Sequence, residues 1–369
     1  MPSILLRRDD VIGGVDTHKD QHVAVVLDGL GGKLADIFIP ATASGYAQLL
    51  AFSSEHLGPA GRIQTFGVEG TGSYGIGLAR FLRRQGHKVQ EIHRPPRKGE
   101  RRLSGKNDTI DAEHAARQIL AGGTGAIAKT ADGSIEAIRL LKITRDTAVK
   151  ARSTAMITLK ATLVTAHDEL RAELEPLTVY KLIGACAAFT AGSSLADPDA
   201  AMRHALGTLA RRWLFLHAEI KVHSAHLKAQ TQAAAPRLVE AFGIGLDIAA
   251  EMLITAGDNT DRIRSEAAFA KMCGACPIPA GSGKTNGRHR LNRGGNRQAN
   301  AALYRAIIVR MRWHQPTIDY VDRRTAEGLS KREIIRCLKR YLAREIYHLL
   351  PDTVTATATQ TEQQLHKAA

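Results

Sequence analysis

The sequence predicts a mixed α/β domain at its N-terminal end, then a long helical segment and a mostly helical C-terminal domain. Short β-branched and apolar runs lie within residues 11–40 and recur at 63–69 and 87–92, as is typical of strands. From residue 134 onward the apolar residues repeat at helical spacing instead. Aromatic residues are only 5% of the 369 residues, so we expect a core of Ala, Leu, Ile and Val.

The N-terminal elements are predicted as follows. Three strands come first, at Val11–Asp16, His22–Asp28 and Lys33–Pro40. They are followed by a helix from an N-cap at Ser44 to about Leu57, a strand at Ile63–Glu69, a helix at Tyr74–Gln85, a strand at His87–Ile92, and a helix from Asn107 or Asp108 to about Leu120. A dinucleotide-binding fold would alternate strand and helix from the start. An opening of three consecutive strands resembles the ribonuclease H-like architecture instead.

The middle of the chain is predicted to contain two long helices, from Ser134 to about Ala172 and from Ala200 to about Ala234, joined by a Gly/Ser/Pro-rich linker at 192–199. Their modest apolar stripes fit a coiled-coil-like hairpin that joins subunits, or an ordinary helical bundle. The predicted domain bounds are therefore 8–130 for the α/β domain, 134–234 for the long helices and 235–350 for the C-terminal domain, with a disordered tail at 353–369.

Within the C-terminal domain, short helices at Arg237–Ala241 and Leu246–Ala256 flank Gly243-Ile244-Gly245. This pattern resembles a helix-hairpin-helix, in which the backbone N–H groups of Gly243 and Gly245 face a nucleic-acid phosphate. Further helices are predicted at Ser265–Met272, Asn300–Met311 and Lys331–Leu349, and a Gly- and Arg-rich loop at Cys273–Asn296.

The charge balance points to a polyanionic partner. The chain has 51 Lys+Arg against 36 Asp+Glu, a net charge of +15, which favours nucleic acid or an anionic membrane face. It has neither an apolar run of about 18 residues nor an N-terminal signal pattern, so no membrane partner is expected. Four cysteines are too few for a disulfide scaffold, which fits a reducing cytoplasm.

Two short segments concentrate the positive charge. Residues Arg83–Lys106 hold nine Lys/Arg and two acids, and Lys284–Arg297 hold five Lys/Arg and no acid. Such runs are often only solvated faces, but two of them in Gly/Pro-bearing loops favour phosphate contacts. The expected nucleic-acid-binding cations are Arg94, Arg97, Lys98, Arg101, Arg102, Lys106, Lys284, Arg288, Arg290, Arg293 and Arg297.

Four acids are predicted to converge. Asp16 and Glu69 end two strands that neighbour each other in a ribonuclease H-like sheet, and Asp108 and Asp111 lie three apart at a helix start. Four such carboxylates are suited to a pair of Mg²⁺ ions that catalyse phosphodiester cleavage. Each acid alone also has a structural interpretation, as a turn former or a helix N-cap.

A second candidate site lies at Ser282, which stands between two glycines among the cations of residues 284–297. The glycines leave its hydroxyl open, and arginines stabilise a phosphoryl transition state; a flexible linker is the alternative.

Gly283-Lys284-Thr285 is no phosphate-binding loop, because Ile278 stands where that motif requires glycine. Cys273 and Cys276 suggest zinc, but packed sulfur is the better interpretation, since no second histidine lies three to five residues beyond His289.

Together these motifs resemble the insertion-sequence 110 family of transposases. The Val-Asp-Thr-His-Lys strand end at Asp16, the Val-Glu-Gly-Thr-Gly element at Glu69 and the segment Lys106–Ala112 resemble its RuvC-like N-terminal domain. The Gly243 turn, the Pro277–Gly283 stretch and Gly294-Gly295-Asn296-Arg297 resemble its C-terminal domain. One departure is Asn107, where the family usually has threonine.

The resemblance implies a bacterial, nucleoid-associated DNA recombinase that cuts and rejoins donor and target double-stranded DNA. It implies Asp16, Glu69, Asp108 and Asp111 as the Mg²⁺-binding tetrad and Ser282 as the nucleophile. It also implies a structured guide RNA and a homo-oligomer, either a dimer or a tetramer. Two alternatives stay open: a RuvC-like endonuclease without a covalent intermediate, and a non-enzymatic nucleic-acid scaffold.

Overall fold

The computed structural model describes residues 6–92, 107–122, 126–190, 195–259, 262–281, 289–292 and 294–351. The chain divides into two compact units. The first contains the described residues up to Asp132 together with the segment Gly257–Arg264, and the second contains Gly133–Ala256 and Ser265–Pro351. The architecture is therefore a mixed α/β N-terminal part followed by a mostly helical C-terminal part.

The first unit is built on a six-stranded sheet. Its strands are β1 (Val11–Thr17), β2 (Gln21–Asp28), β3 (Lys33–Pro40), β4 (Ile63–Glu69), β5 (Val89–Ile92) and β6 (Ala126–Ile127). The spatial order is β3-β2-β1-β4-β5-β6. The first three strands form an antiparallel meander, β1, β4 and β5 run parallel, and β6 is antiparallel to β5. This confirms the five predicted strands and their order and is consistent with a ribonuclease H-like domain; the two-residue β6 was not predicted.

Both faces of the central strands are covered. The described helices of the first unit are α1 (Ala43–Glu55), α2 (Ile76–Arg84) and α3 (Asp108–Leu120). On one face Val15 and Phe66 pack with Leu49 of α1 and Leu78 of α2. On the other face Ile12 and its neighbours on β2 pack against Ala112 and Ala116 of α3. Every residue of β1 is buried, as expected for a central strand with helices on both sides.

The segment Gly257–Arg264 completes the first unit from a distant part of the sequence. The Asn259 amide donates to the carbonyl oxygen of Ala128 and accepts from the N–H of Thr130, both at 3.3 Å. Arg262 lies 3.4 Å from the Glu91 carboxylate on β5. The edge of the sheet near β5 and β6 is thus held by side chains that come more than a hundred residues later.

The described residues of the second unit are helical apart from connecting segments and one short hairpin. Its helices are α4 (Ser134–Val164), α5 (Asp168–Leu174), α6 (Val179–Ala187), α7 (Pro198–Ala234), α8 (Pro236–Glu240), α9 (Leu246–Ala256), α10 (Glu266–Met272), α11 (Arg297–Trp313), α12 (Gln315–Ala326) and α13 (Lys331–Leu349). The hairpin pairs β7 (Pro277–Pro279) with β8 (His289–Leu291). The long helices α4 and α7 pack along each other, and one core of this unit contains Leu159, Leu206 and Trp213. Among the described residues, no helix combines the length and apolar character needed to cross a bilayer.

The helix predicted from Ser134 to Ala172 is wrong in its length. Helix α4 ends at Val164, where the Thr165 hydroxyl donates to the carbonyl oxygen of Thr162 at 2.8 Å. The chain then passes through an extended His167 before α5 starts. Leu163, Leu170 and Leu174 are all buried, so the apolar spacing continues across a break in the backbone and conceals it.

Two further expectations need correction. Ser44 is not the N-cap of α1: Thr42 is, because its side chain accepts a hydrogen bond from the N–H of Gly45 at 3.3 Å. The region Cys273–Asn296 is not wholly a loop, since β7 and β8 pair within it, with Ile278 opposite Arg290. Helices α6 and α12 were not predicted. The predicted tail at 353–369 and residues 192–194 of the predicted linker lie outside the described residues.

Candidate functional site

The first carboxylate lies at the end of the central strand. Asp16 is the next-to-last residue of β1 and is 9% exposed. The parallel neighbour of β1 is β4, with Val15 opposite Val68, so Asp16 and Glu69 are the next residues along these adjacent strands. The Thr17 hydroxyl donates to the Glu69 carbonyl oxygen at 3.0 Å and ties the two strand ends together. The expected placement of both acids at one end of the sheet is observed.

The second pair of acids lies in the first turn of α3. The Asn107 side chain accepts a hydrogen bond from the N–H of Thr109 at 3.0 Å and caps the helix. Asp108 and Asp111 follow in the first turn, where a carboxylate is favoured by the helix dipole. Asp111 is buried, at 8% exposure. The predicted start of this helix is confirmed, and asparagine at position 107 serves as its cap.

Two glycines let α3 come close to the sheet. A Cβ at Gly14 would overlap the carbonyl oxygen of Ala112 and lie 2.8 Å from the Cβ of Ala116. A Cβ at Gly67, the partner of Gly14 across the strand pair, would lie 2.8 Å from the carbonyl oxygen of Ala115. Since no larger residue fits this approach, the paired glycines determine how near the first turn of α3 lies to Asp16.

Three side chains meet at this point. The Nε2 atom of His18 lies 3.3 Å from Oδ2 of Asp16 and 3.3 Å from Oδ2 of Asp108. One ligand-capable atom from each of the three residues falls within 4.8 Å of the others, an arrangement able to hold a metal ion. Among the described residues this is the one such group, and it does not include Glu69 or Asp111.

The electrostatics of the cluster are those of crowded acids. Burial raises the pKa of the Asp16 carboxyl, His18 lowers it, and Asp108 and Asp111 raise it further. Asp111 is therefore close enough to act on Asp16, although it stands outside the tightest group. Like charges held this way repel one another unless a proton or a cation lies among them.

Sequence reasoning missed His18 as a site residue. Its backbone N–H donates to Nδ1 of His22 at 3.3 Å. His22 is fully buried, its ring stacks on Tyr46 at 5.8 Å between centroids, and burial lowers its pKa. The signal was present in the sequence, since His18 follows Asp16 by two residues at the same strand end.

The predicted nucleophile and most of the predicted cations lie outside the described residues. These are Ser282, Arg94, Arg97, Lys98, Arg101, Arg102, Lys106, Lys284, Arg288 and Arg293. In the chain, Ser282 belongs to the connection between β7 and β8. Arg290 on β8 and Arg297 at the start of α11 are described, and both are exposed.

The Gly243–Gly245 turn joins α8 to α9 as predicted. Gly243 has a φ of 74°, a left-handed conformation that favours glycine. Arg310 of α11 holds the turn through a hydrogen bond from Nε to the carbonyl oxygen of Phe242 at 2.8 Å. A Cβ at Gly245 would meet no heavy atom within 4 Å, so this side of the turn is open to a ligand.

Two family models match separate parts of this chain. Residues 13–168 match the IS110 DEDD family model, described as "Transposase". Residues 235–322 match the model described as "Transposase IS116/IS110/IS902 family". The chain belongs to the IS110 family of transposases. The first match includes all four predicted acids, and the second includes the Gly243 turn and Ser282.

A curated relative of this IS110-family protein is named "Insertion element IS110 uncharacterized 43.6 kDa protein", from Streptomyces coelicolor. It is 27% identical over 147 residues, which cover 39% of this chain and 36% of the relative. The chain thus aligns with about a third of the length of that relative.

The environments of Cys273 and Cys276 differ. Cys273 is buried, and burial together with Glu251 raises the pKa of its thiol to about 12. Cys276 is half-buried. Packed sulfur stays the prediction for both.

Proposed function

We propose that this protein cuts and rejoins DNA strands during transposition of an insertion sequence. Asp16, Glu69, Asp108 and Asp111 would bind two Mg²⁺ ions, Ser282 would attack the DNA, and a structured non-coding RNA would guide the choice of donor and target. The observation that carries the proposal is the meeting of Asp16, His18 and Asp108 within 4.8 Å. The protein would act on DNA in the bacterial cytoplasm, in association with the nucleoid.

The cluster fits a hard divalent cation. Carboxylate oxygens are the ligands that Mg²⁺ prefers, and burial together with Asp108 and Asp111 raises the pKa of Asp16. A cation among these groups would relieve their mutual repulsion. When bound, Mg²⁺ supplies charge stabilisation at the phosphate and lowers the pKa of a bound oxygen nucleophile.

The residues of the chain would carry the reaction as follows. The Ser282 oxygen forms a bond to phosphorus, and its proton passes to a base. The bond from phosphorus to one DNA oxygen breaks, and that oxygen takes up a proton. A hydroxyl of the second DNA strand then attacks the phosphoserine and restores the serine. Arg290 and Arg297, which are both exposed, would hold phosphate oxygens through bidentate contacts.

Trapping of the protein on DNA tests this mechanism. Ser282→Ala should abolish the covalent protein–DNA adduct and strand exchange while DNA and RNA binding persist. The matched control is Thr285→Ala, which removes a nearby hydroxyl from the same segment and should leave the adduct unchanged. Cleavage by Ser282→Ala at the normal rate would replace the mechanism with hydrolysis by a RuvC-like endonuclease. If the wild-type protein binds nucleic acid but cleaves none with any divalent cation, the non-enzymatic scaffold is the remaining interpretation.

The remaining part of the proposal is the division of labour along the chain. Residues 8–130 would form the metal-binding domain, 134–234 the oligomerisation arm and 235–350 the serine-bearing domain. The arm exposes large apolar side chains, among them Ile157 at 68% and Phe215 at 71%, which single subunits rarely leave uncovered in one region. Sedimentation of the Ile157→Glu, Phe215→Glu variant should show a smaller assembly than the wild type.

A further inference from the structure

Helix α11 belongs to an unusually basic part of the chain. It contains four arginines and no acid, and residues 284–313 together contain eight Lys/Arg and no acid. The positive charge therefore continues from the segment 284–297 along the helix itself. A surface with this charge repels another copy of itself and attracts phosphates.

The two faces of α11 differ. Its buried face is mostly apolar and consists of Ala299, Ala302, Leu303, Ala306, Ile307 and the ion-paired Arg310. Along the exposed flank of this face and toward the C-terminal end of the helix lies what we call the Trp313 strip: Arg305, Val309, Arg312 and Trp313, all exposed. These four follow the helical spacing of i, i+4, i+7 and i+8, which puts them on one side.

Trp313 is the most exposed large apolar side chain among the described residues, at 74%, and Val309 beside it is 42% exposed. An indole ring left in water is costly in free energy, so an exposed tryptophan commonly marks a binding surface. The flat ring offers a stacking platform of the kind that single-stranded nucleic-acid proteins use.

The arginines of the strip are available for a ligand. Arg310, on another side of the helix, is held by the Glu345 carboxylate at 2.6 Å and by the Phe242 carbonyl oxygen. Among the described residues, no acid pairs with Arg305 or Arg312, and both are exposed. They are seven residues apart, about 10 Å along the helix axis, and their long, flexible side chains can bring both guanidinium groups to the phosphates of one strand.

We propose that the Trp313 strip binds a single-stranded loop of RNA, with the Trp313 ring stacked on an unpaired base and Arg305 and Arg312 on the adjoining phosphates. A duplex keeps its bases stacked inside, whereas RNA loops present unpaired bases to aromatic side chains. A second copy of the chain is a poor occupant, because a symmetric contact would oppose the same arginines. The inference deepens the proposed function, since it rests on RNA as a partner.

Tryptophan fluorescence tests the stacking directly. The chain has two tryptophans, and Trp213 is buried at 6% exposure. In a full-length Trp213→Phe background the signal comes from Trp313 alone. An RNA hairpin with an oligouridine loop should quench it, whereas fully paired RNA of equal nucleotide number should bind without quenching.

Substitutions separate stacking from charge. Trp313→Ala should weaken binding of the hairpin at least about fivefold, the lower end of base–aromatic stacking, and Trp313→Phe should restore most of it. The double substitution Arg305→Gln, Arg312→Gln should reduce the slope of log affinity against log salt by the amount expected for about two phosphate contacts. Leu30→Ala, at a position 72% exposed in the first unit, is the matched control and should change neither quantity.

Several outcomes would overturn the assignment. If paired RNA or duplex DNA quenches the Trp313 fluorescence equally, stacking on an unpaired base is excluded as the binding mode. If oligothymidine binds more tightly than oligouridine and also quenches the Trp313 fluorescence, the occupant of the strip is single-stranded DNA. If Trp313→Ala changes the sedimentation of the protein but leaves hairpin binding unchanged, the occupant of the strip is a second copy of the chain. Hairpin binding without quenching overturns this inference alone, whereas no RNA binding at all also removes RNA from the proposed function.

Discussion

Gly14 on β1 lies so close to Ala116 on α3 that a Cβ on Gly14 would be 2.8 Å from the Cβ of Ala116. That distance is well inside van der Waals contact. The approach brings Asp108 to 3.3 Å from the same imidazole nitrogen that Asp16 reaches. The geometry of the acid cluster therefore depends on a hydrogen atom in place of a methyl group at Gly14, two residues before Asp16 on the same strand.

Gly14→Ala should damage both stability and the metal centre. The added methyl group must push α3 away from the sheet, and overpacking of this kind typically costs about 1–3 kcal/mol. Displacement of Asp108 from Asp16 should also weaken divalent-cation binding. Urea unfolding and calorimetric titration with Mg²⁺ measure the two effects.

The matched control for that substitution is Gly72→Ala, because a Cβ at Gly72 would meet no heavy atom within 4 Å. It should change the free energy of unfolding by less than about 0.5 kcal/mol. Wild-type stability in Gly14→Ala would mean that the strand and the helix separate at no cost, contrary to their close packing.

Asp16→Asn should stabilise the protein in the absence of divalent metal. Burial and the neighbouring acids raise the pKa of Asp16 in the folded state. A carboxyl with a raised folded pKa holds a proton more firmly when folded, so its ionisation destabilises the fold as pH rises from the unfolded value of about 4 through the folded value. The gain in Tm of Asp16→Asn should therefore be full at neutral pH and shrink in acid.

Mg²⁺ should reverse the order of the Tm values of the wild type and Asp16→Asn. A ligand that binds only the folded state raises its stability, so Mg²⁺ should raise the Tm of the wild type and have little effect on Asp16→Asn. Thermal melts with Mg²⁺ and with EDTA provide the comparison. An equal Mg²⁺ response in both proteins would remove Asp16 from the metal centre.

The basic segment before α3 should control salt dependence. Replacement of Arg97, Lys98, Arg101 and Arg102 by glutamine should reduce the slope of log affinity against log salt by about 0.9 for each lost phosphate contact on duplex DNA. Filter binding across a range of salt concentrations measures the slope. An unchanged slope would make this segment a solvated face.

Gly184→Ala should stabilise the second unit. Gly184 lies on the exposed side of α6, where an added Cβ would meet no heavy atom within 4 Å. Alanine in a helix interior is favoured over glycine by about 0.5–1 kcal/mol. A rise in the midpoint of chemical unfolding is the expected result, and a fall would indicate a contact with a partner at this position.

Sequence patterns predicted the parts of the site that depend on local order. Asp16 and Glu69 end β-branched runs, and Asn107 precedes a helix, so their elements could be inferred from a few residues each. The closeness of α3 to β1 could not, because it follows from Gly14 meeting Ala112 and Ala116 nearly a hundred residues away. Local patterns carry no information on which glycine faces a helix.

The same limit explains the errors in the second unit. Leu163 and Leu170 keep a heptad spacing on both sides of the bend at Thr165, so periodicity alone predicted one helix. The role of His18 was hidden for a related reason. A histidine beside an acid becomes part of a cluster only when a third group, here Asp108, arrives from another element.

The return of Gly257–Arg264 to the first unit sets an order of events during synthesis. Asn259 and Arg262 support Ala128, Thr130 and Glu91, so these contacts near β5 and β6 cannot form until residue 264 has left the ribosome. At 5–20 residues per second, this delay after Asp132 is on the order of ten seconds. During that interval Ala128, Thr130 and Glu91 lack the partners that Asn259 and Arg262 later supply. A messenger cut short before Gly257 would yield an unfinished first unit.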